Sequence, residues 1–146
     1  MCRLLIVFAL LFAQTVWSGD LEDGWAALER KDYATALAKF RSAALQGNDV
    51  AQYNFGVMYN EGKGVAQDYK EAVRWFQLAA QQGLAQAQYN LASKYRKGEG
   101  IAQDYKEAVR WYELAARQGH SDAKNNLGVM YIHGQGVLQD HVRAHM

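Results

Sequence analysis

The chain contains no proline. No helix is therefore interrupted by a fixed φ and a missing N–H, and the turns fall to its 13 glycines. Cysteine is almost as scarce. The single one, Cys2, precedes an apolar segment instead of following it, so it is not placed for lipid attachment. The rest of the chain has no thiol from which to build a disulfide framework. An excess of one charge is also missing: 16 Lys and Arg face 15 Asp and Glu, a formal net charge of +1. That balance argues against nucleic acid as a partner. Apolar character is concentrated near the N-terminus, where the run from Leu4 to Val16 falls short of the roughly 20 residues that span a bilayer.

That N-terminal run has the layout of a secretory signal peptide. Arg3 supplies the positive start, Leu4 to Phe12 is uncharged and apolar, and Val16-Trp17-Ser18 resembles a cleavage site. Cleavage is predicted after Ser18. The mature chain would begin at Gly19, lie in the periplasm or be secreted, and have no stable membrane insertion. Loss of Arg3 would take the net charge from +1 to 0. With 50% hydrophobic and 21% charged residues, the composition is that of a folded protein, not a disordered one.

The residues present are arranged in repeats. Ala66 to Trp75 recurs letter for letter at Ala102 to Trp111, an offset of 36 residues. Between Val65–Gly83 and Ile101–Gly119, 15 of 19 positions are identical. A period of this length predicts a solenoid of stacked helical hairpins. Three units follow in this register: 48–83, 84–119 and an incomplete 120–146. The third breaks off about one turn into its second helix, in Asp140-His141-Val142-Arg143-Ala144-His145-Met146, and that incomplete end offers a further surface for pairing.

Each unit reads as two helices. Ala51, Phe55 and Tyr59 share one face by their i, i+4, i+8 spacing, as do Ala87, Leu91 and Tyr95, and then Ala123, Leu127 and Tyr131. Gly56, Ala92 and Gly128 leave room for a close neighbour. The second helices open at Asp68 and Asp104, and Glu71 and Glu107 predict a capping box. Ala72, Trp75, Leu78 and Ala79 form the expected buried stripe, matched by Ala108, Trp111, Leu114 and Ala115. Gly83 and Gly119 are placed as left-handed caps. The connections Gly62-Lys63-Gly64-Val65, Gly98-Glu99-Gly100-Ile101 and Gly134-Gln135-Gly136-Val137 suit tight turns with positive φ. They are not phosphate loops, which follow a strand and continue to Lys-Ser/Thr or a third glycine.

Together the Leu-Gly-x-x-Tyr helix, the Gly-x-Gly-Val turn, the Asp-Tyr-x-x-Ala start and the Trp before Ala-Ala-x-x-Gly resemble the Sel1-like repeat family. The segment 19–47 departs from it. Gly24, Asp32, Tyr33, Ala36, Phe40 and Ala43 have the shorter spacing of a tetratricopeptide repeat, which implies an N-terminal capping hairpin. The resemblance implies an all-α, right-handed solenoid of antiparallel helix pairs whose first helices line a concave face. It selects Val50, Tyr53, Val57 and Asn60, then Gln86, Tyr89, Ser93 and Arg96, then Asp122, Asn125, Val129 and Ile132 as the partner-binding groove. It further implies a non-catalytic adaptor or regulator of the bacterial envelope that holds a partner peptide or helix, with no cofactor.

Catalytic and metal chemistry find little support in the residues. His141 and His145 are four apart, but no Glu lies between them and no cysteine is available to complete a zinc site. His120 replaces Leu84 in register and reads as a tolerant surface position. Ser42, Ser93 and Ser121 occupy unrelated repeat positions. The recurring acids are explained by capping, and the recurring aromatics Tyr69, Tyr105, Trp75 and Trp111 by core packing. Two alternatives stay open: a shortened, degenerate repeat protein with no binding role, and an envelope hydrolase.

Overall fold

The computed structural model describes residues 19–137. The predicted signal peptide and residues 138–146, with His141 and His145, lie outside the described residues. Those described form seven helices and no strand: α1 (19–29), α2 (Tyr33–Leu45), α3 (Asp49–Glu61), α4 (Tyr69–Gln81), α5 (Ala85–Lys97), α6 (Tyr105–Arg117) and α7 (Ser121–His133). Helices α2 to α7 pack each against the next in sequence, as a solenoid of antiparallel pairs requires. Each of these six has 13 residues, about 20 Å of helix.

Capping fixes where the second helices begin. The Asp68 carboxylate accepts from the N–H groups of Lys70 and Glu71 at 3.0 and 3.1 Å, and Asp104 repeats both bonds. The reciprocal half of the predicted capping box is not made. The Asp68 N–H instead donates to the Tyr59 carbonyl at 2.9 Å, closing the hairpin turn, while Glu71 turns outward to Arg74. The first helices end on glycines at φ 68°, 72° and 64°, namely Gly62, Gly98 and Gly134. Gly83 and Gly119 also have positive φ, one residue beyond the caps of α4 and α6. The connection from α1 to α2 takes three residues, against seven from α3 to α4, because the Gly-x-Gly extension is absent there.

The second glycine of each turn joins one unit to the one before it. A Cβ on Gly64 would lie 2.7 Å from the Tyr33 carbonyl oxygen at the start of α2. Gly100 and Gly136 approach the backbone of Tyr69 and Tyr105 in the same way. A glutamine pair adds a second link. Gln82 Nε2 donates to the Gly47 carbonyl and to Gln52 Oε1, both at 2.9 Å, and Gln118 does the same with Gly83 and Gln88 at 2.8 and 2.9 Å.

The core follows α4 and α6, which are packed on both sides. Ala72, Val73, Trp75, Phe76, Ala79 and Ala80 are buried on α4, and Phe76 is fully so. At 100° per residue they cover an arc of roughly 160°, wider than a single stripe. Leu78 lies outside that arc and is 38% exposed, so its predicted place in the stripe is corrected. Leu114, its equivalent on α6, is only partly buried. Gly56 has the role expected of it, since an added Cβ would meet the Phe76 ring at 2.9 Å.

Candidate partner-binding surface

The predicted groove residues lie on the first helices α3, α5 and α7. Val50, Tyr53, Val57 and Asn60 recur at three- and four-residue steps and so share one face of α3. All four are half-buried. On α5, Gln86 is exposed, whereas Tyr89, Ser93 and Arg96 are half-buried. On α7, Asp122, Asn125, Val129 and Ile132 are exposed, because no later helix among the described residues packs over them.

These positions connect from unit to unit. The Tyr53 ring packs 5.9 Å from Phe76, and Gln86 and Asn90 of the next unit lie by its hydroxyl. Burial raises its pKa, and those two polar neighbours oppose the rise. Tyr89 repeats the arrangement one unit on. It packs 5.8 Å from Tyr112, and Asn126 Nδ2 donates to its hydroxyl at 3.4 Å. Tyr53 and Tyr89 are thus shared between exposed surface and the contact between units. Truncating either will cost folding as well as any binding, a correction to reading them as surface side chains alone.

His120 is a residue that sequence reasoning misjudged. It is no tolerant surface position. Its Nδ1 accepts from the Ala123 N–H at 3.2 Å and caps α7, while Nε2 donates to Gln86 Oε1 at 3.0 Å. The two bonds specify the neutral tautomer with its proton on Nε2. The ring also stacks on Tyr89 at 4.6 Å and 17°. A signal was present, since Asn48 stands at the same register in the first unit and caps α3. Tyr53, Gln86 and His120 thus place polar groups next to one another from α3 to the start of α7.

Electrostatics are unevenly placed along this face. Arg96 and Ser93 lie by the hydroxyl of Tyr112, whose pKa is raised by burial and opposed by those two neighbours. Lys94 is 8% exposed at a register held by Met58 and Met130 in the other units. Its ammonium pairs with Glu99 at 2.7 Å and lies 3.9 Å from the centre of the Tyr69 ring. The Lys94 hydrogen bond holds the Glu99 carboxyl below the usual carboxylate range.

The clefts lie elsewhere. One of about 550 Å³ is lined by Asp68, Lys70, Glu71, Arg74 and the Gly100-Ile101 turn, and one of about 490 Å³ by Lys106, Gly134, Gly136 and Val137. These are the same place one unit apart, and neither includes a predicted groove residue. Among the described residues no three His, Cys, Asp or Glu side chains are grouped to hold a metal, and no helix is long and apolar enough to cross a membrane.

The Sel1 repeat family matches residues 49–84, 85–120 and 121–146, each one residue later than the register chosen above. The fold is similar to the crystal structure of c5321, a protective antigen present in uropathogenic Escherichia coli strains. The TM-score is 0.86 at 38% identity, over 90% of this chain and 29% of that one. A Sel1 repeat protein from Oxalobacter formigenes aligns with a TM-score of 0.78 and 36% identity, over 83% of this chain and 50% of that one. Helicobacter pylori cysteine-rich protein B shares the fold at 20% identity, with a TM-score of 0.61 over 76% of this chain and 94% of that one. No curated protein sequence matches the chain. This chain thus spans half or less of the length of the first two proteins. On its repeats, its turns and its fold, the chain belongs to the Sel1 repeat family.

Proposed function

We propose that the chain is a non-catalytic interaction module that acts outside the cytoplasm and holds a partner peptide or helix along its first helices. The observation that carries this reading is a contrast within the repeats. Scaffold positions such as Asp68 and Asp104 or Trp75 and Trp111 are kept, whereas several first-helix groove positions change from unit to unit. The register of Asn60 holds Arg96 and then Ile132, and that of Val57 holds Ser93 and then Val129. Each step along the surface therefore presents different chemistry on the same frame. Tyr and Arg on it are residue types enriched in binding hot spots. The signal-peptide layout of residues 1–18 supports a periplasmic or secreted location, and a mature N-terminus at Gly19 in fractionated cells is its test.

The functional test is capture of partners from the native cell by tagged chain carrying Gln86→Ala, Arg96→Ala or Asn125→Ala. Asn125 is exposed, so its variant should keep its helicity, whereas Gln86→Ala also loses the His120 bond and is compared only at confirmed helicity. Capture should weaken by at least about 1 kcal/mol in the strongest of the three. Equal capture by all three would move the interface to the second helices and their clefts.

A further inference from the structure

We propose that the partner held along the first helices presents a carboxylate to the second unit, where Arg96, Ser93 and the Tyr112 hydroxyl converge to receive it. The proposal rests on the first-helix reading above and names what the partner carries at one step of it.

The second unit departs from the first at three positions that meet in space. Val65–Gly83 and Ile101–Gly119 differ at only four of 19 positions, and one of the four exchanges Phe76 for Tyr112. On the first helix the same comparison exchanges Val57 for Ser93 and Asn60 for Arg96. The fold brings the three new polar groups together, since Ser93 and Arg96 lie by the Tyr112 hydroxyl. Packing of the hairpins does not account for them. Tyr112 is fully buried, yet its hydroxyl makes no well-directed hydrogen bond among the described residues, and neither does the buried Nε of Arg96. Each buried donor left unpaired costs about 1–3 kcal/mol. Phe76 fills the equivalent place in the first unit, so the core does not require the oxygen.

Charge decides what fits. Arg96 is the one cation among the predicted groove residues. Their one acid, Asp122, stands at the register of Gln86 on the neighbouring helix, about 15 Å of helix away from the Arg96 register. Glu61 and Glu99, at and just beyond the C-terminal ends of α3 and α5, are already paired with Lys63 and Lys94 at 2.6 and 2.7 Å. A guanidinium flanked by two hydroxyl donors matches a carboxylate, which accepts through both of its oxygens. The same register holds the uncharged Asn60 one unit back and the apolar Ile132 one unit on, so the acid has a single place along the surface.

The test selects short random peptides against the chain from Gly19 to Met146, displayed either flanked on both sides or with a free C-terminus. An Asp or Glu at a fixed position is expected in the flanked format if a side chain supplies the carboxylate. Selection confined to the free C-terminus is expected if the peptide's own end supplies it. Replacing that acid by its amide in an enriched peptide should weaken binding about tenfold in fluorescence anisotropy, the loss of a charge-assisted hydrogen bond. Arg96→Gln should abolish the acidic preference, and Arg96→Glu should turn it to Lys or Arg. Tyr112→Phe and Ser93→Val install the residues of the first unit, and each should weaken the acidic peptide while leaving its amide form unchanged. Peptides whose binding depends on Asn125 or Gln86 but on no acid would overturn the proposal and leave the first-helix reading standing. An acidic preference that survives Arg96→Gln would overturn it in the same way. Enrichment of no peptide in either format would overturn both.

Discussion

Replacing Gly64 with alanine should cost clearly more than replacing Gly62, although both glycines sit in the same turn at nearly the same φ, 71° and 68°. The left-handed conformation disfavours any Cβ by about 1–2 kcal/mol. Restricting the unfolded chain returns about 0.4–1 kcal/mol of that. These two contributions are common to both variants and cancel in the comparison. What differs is the neighbour. On Gly62 the new methyl would lie 3.3 Å from the Gln67 nitrogen, which belongs to the same turn and has only to yield slightly. On Gly64 it would lie 2.7 Å from the Tyr33 carbonyl oxygen and 2.9 Å from its carbonyl carbon, both backbone atoms of the preceding hairpin. Backbone cannot rotate away, so the turn must separate from α2. Overpacking of this kind costs about 1–3 kcal/mol. Urea denaturation should show that gap between the two variants, with Trp25 and Trp75 as fluorescent reporters on either side of the contact. In a solenoid whose stability is the sum of unit and interface contributions, Gly64→Ala should also begin to uncouple the two transitions. Gly64→Ala melting with Gly62→Ala would refute the view that the second glycine exists to join units.

Other perturbations follow from the same contacts. Trp75→Ala and Trp111→Ala should each lower stability by roughly 3–5 kcal/mol, and melting temperatures equal to that of the unmodified chain would contradict the burial of these rings. Asp68→Ala should cost about 1 kcal/mol as a lost cap, whereas Glu71→Ala should cost distinctly less, because its carboxylate makes no return bond to the cap. His120→Leu installs the residue of the second unit and should cost about 0.5–2 kcal/mol by calorimetry as the α7 cap is lost. The double variant Lys94→Met and Glu99→Lys reproduces the first unit, and it should flatten the acid limb of the stability curve. Glu99 has a lowered folded-state pKa. Its contribution is therefore present above the unfolded carboxylate pKa and lost as pH falls through the folded value. An identical acid limb in the double variant would show that the pair contributes nothing.

Much of this architecture was legible because each unit solves the same packing problem twice within one chain. The helices, the paired glycines and the aspartate caps follow from identities at a 36-residue offset, and the close approach at Gly56 from the small residues Ala92 and Gly128 that share its register. Contacts that change partner from unit to unit were harder to read. Leu78 belongs to the i+3 position of a one-sided stripe, but α4 is packed on both sides, so Phe76 takes the buried place instead. The second glycine of each turn reads as a turn former, and only the stacked units reveal the carbonyl of Tyr33 against it. His120 looked dispensable because Leu84 shares its register, yet the imidazole supplies the cap that leucine lacks. The first-helix positions chosen from the sequence do lie on α3, α5 and α7. The sharing of Tyr53 and Tyr89 with the next unit runs past Asn90 and Asn126, whose register Asn54 also holds, so periodicity marked the position but not the contact it makes.

A photoreactive side chain placed at Gln86 on the first-helix face, and separately at Lys106 beside the second-helix cleft, distinguishes the two faces in the native cell. Both positions are exposed, and because Gln86 also bonds His120, unchanged helicity of that variant is confirmed first. If the first helices hold the partner, illumination should yield a discrete, saturable adduct from Gln86 and none from Lys106. An adduct from Lys106 alone would place recognition on the second helices and contradict a function built on the variable first-helix surface.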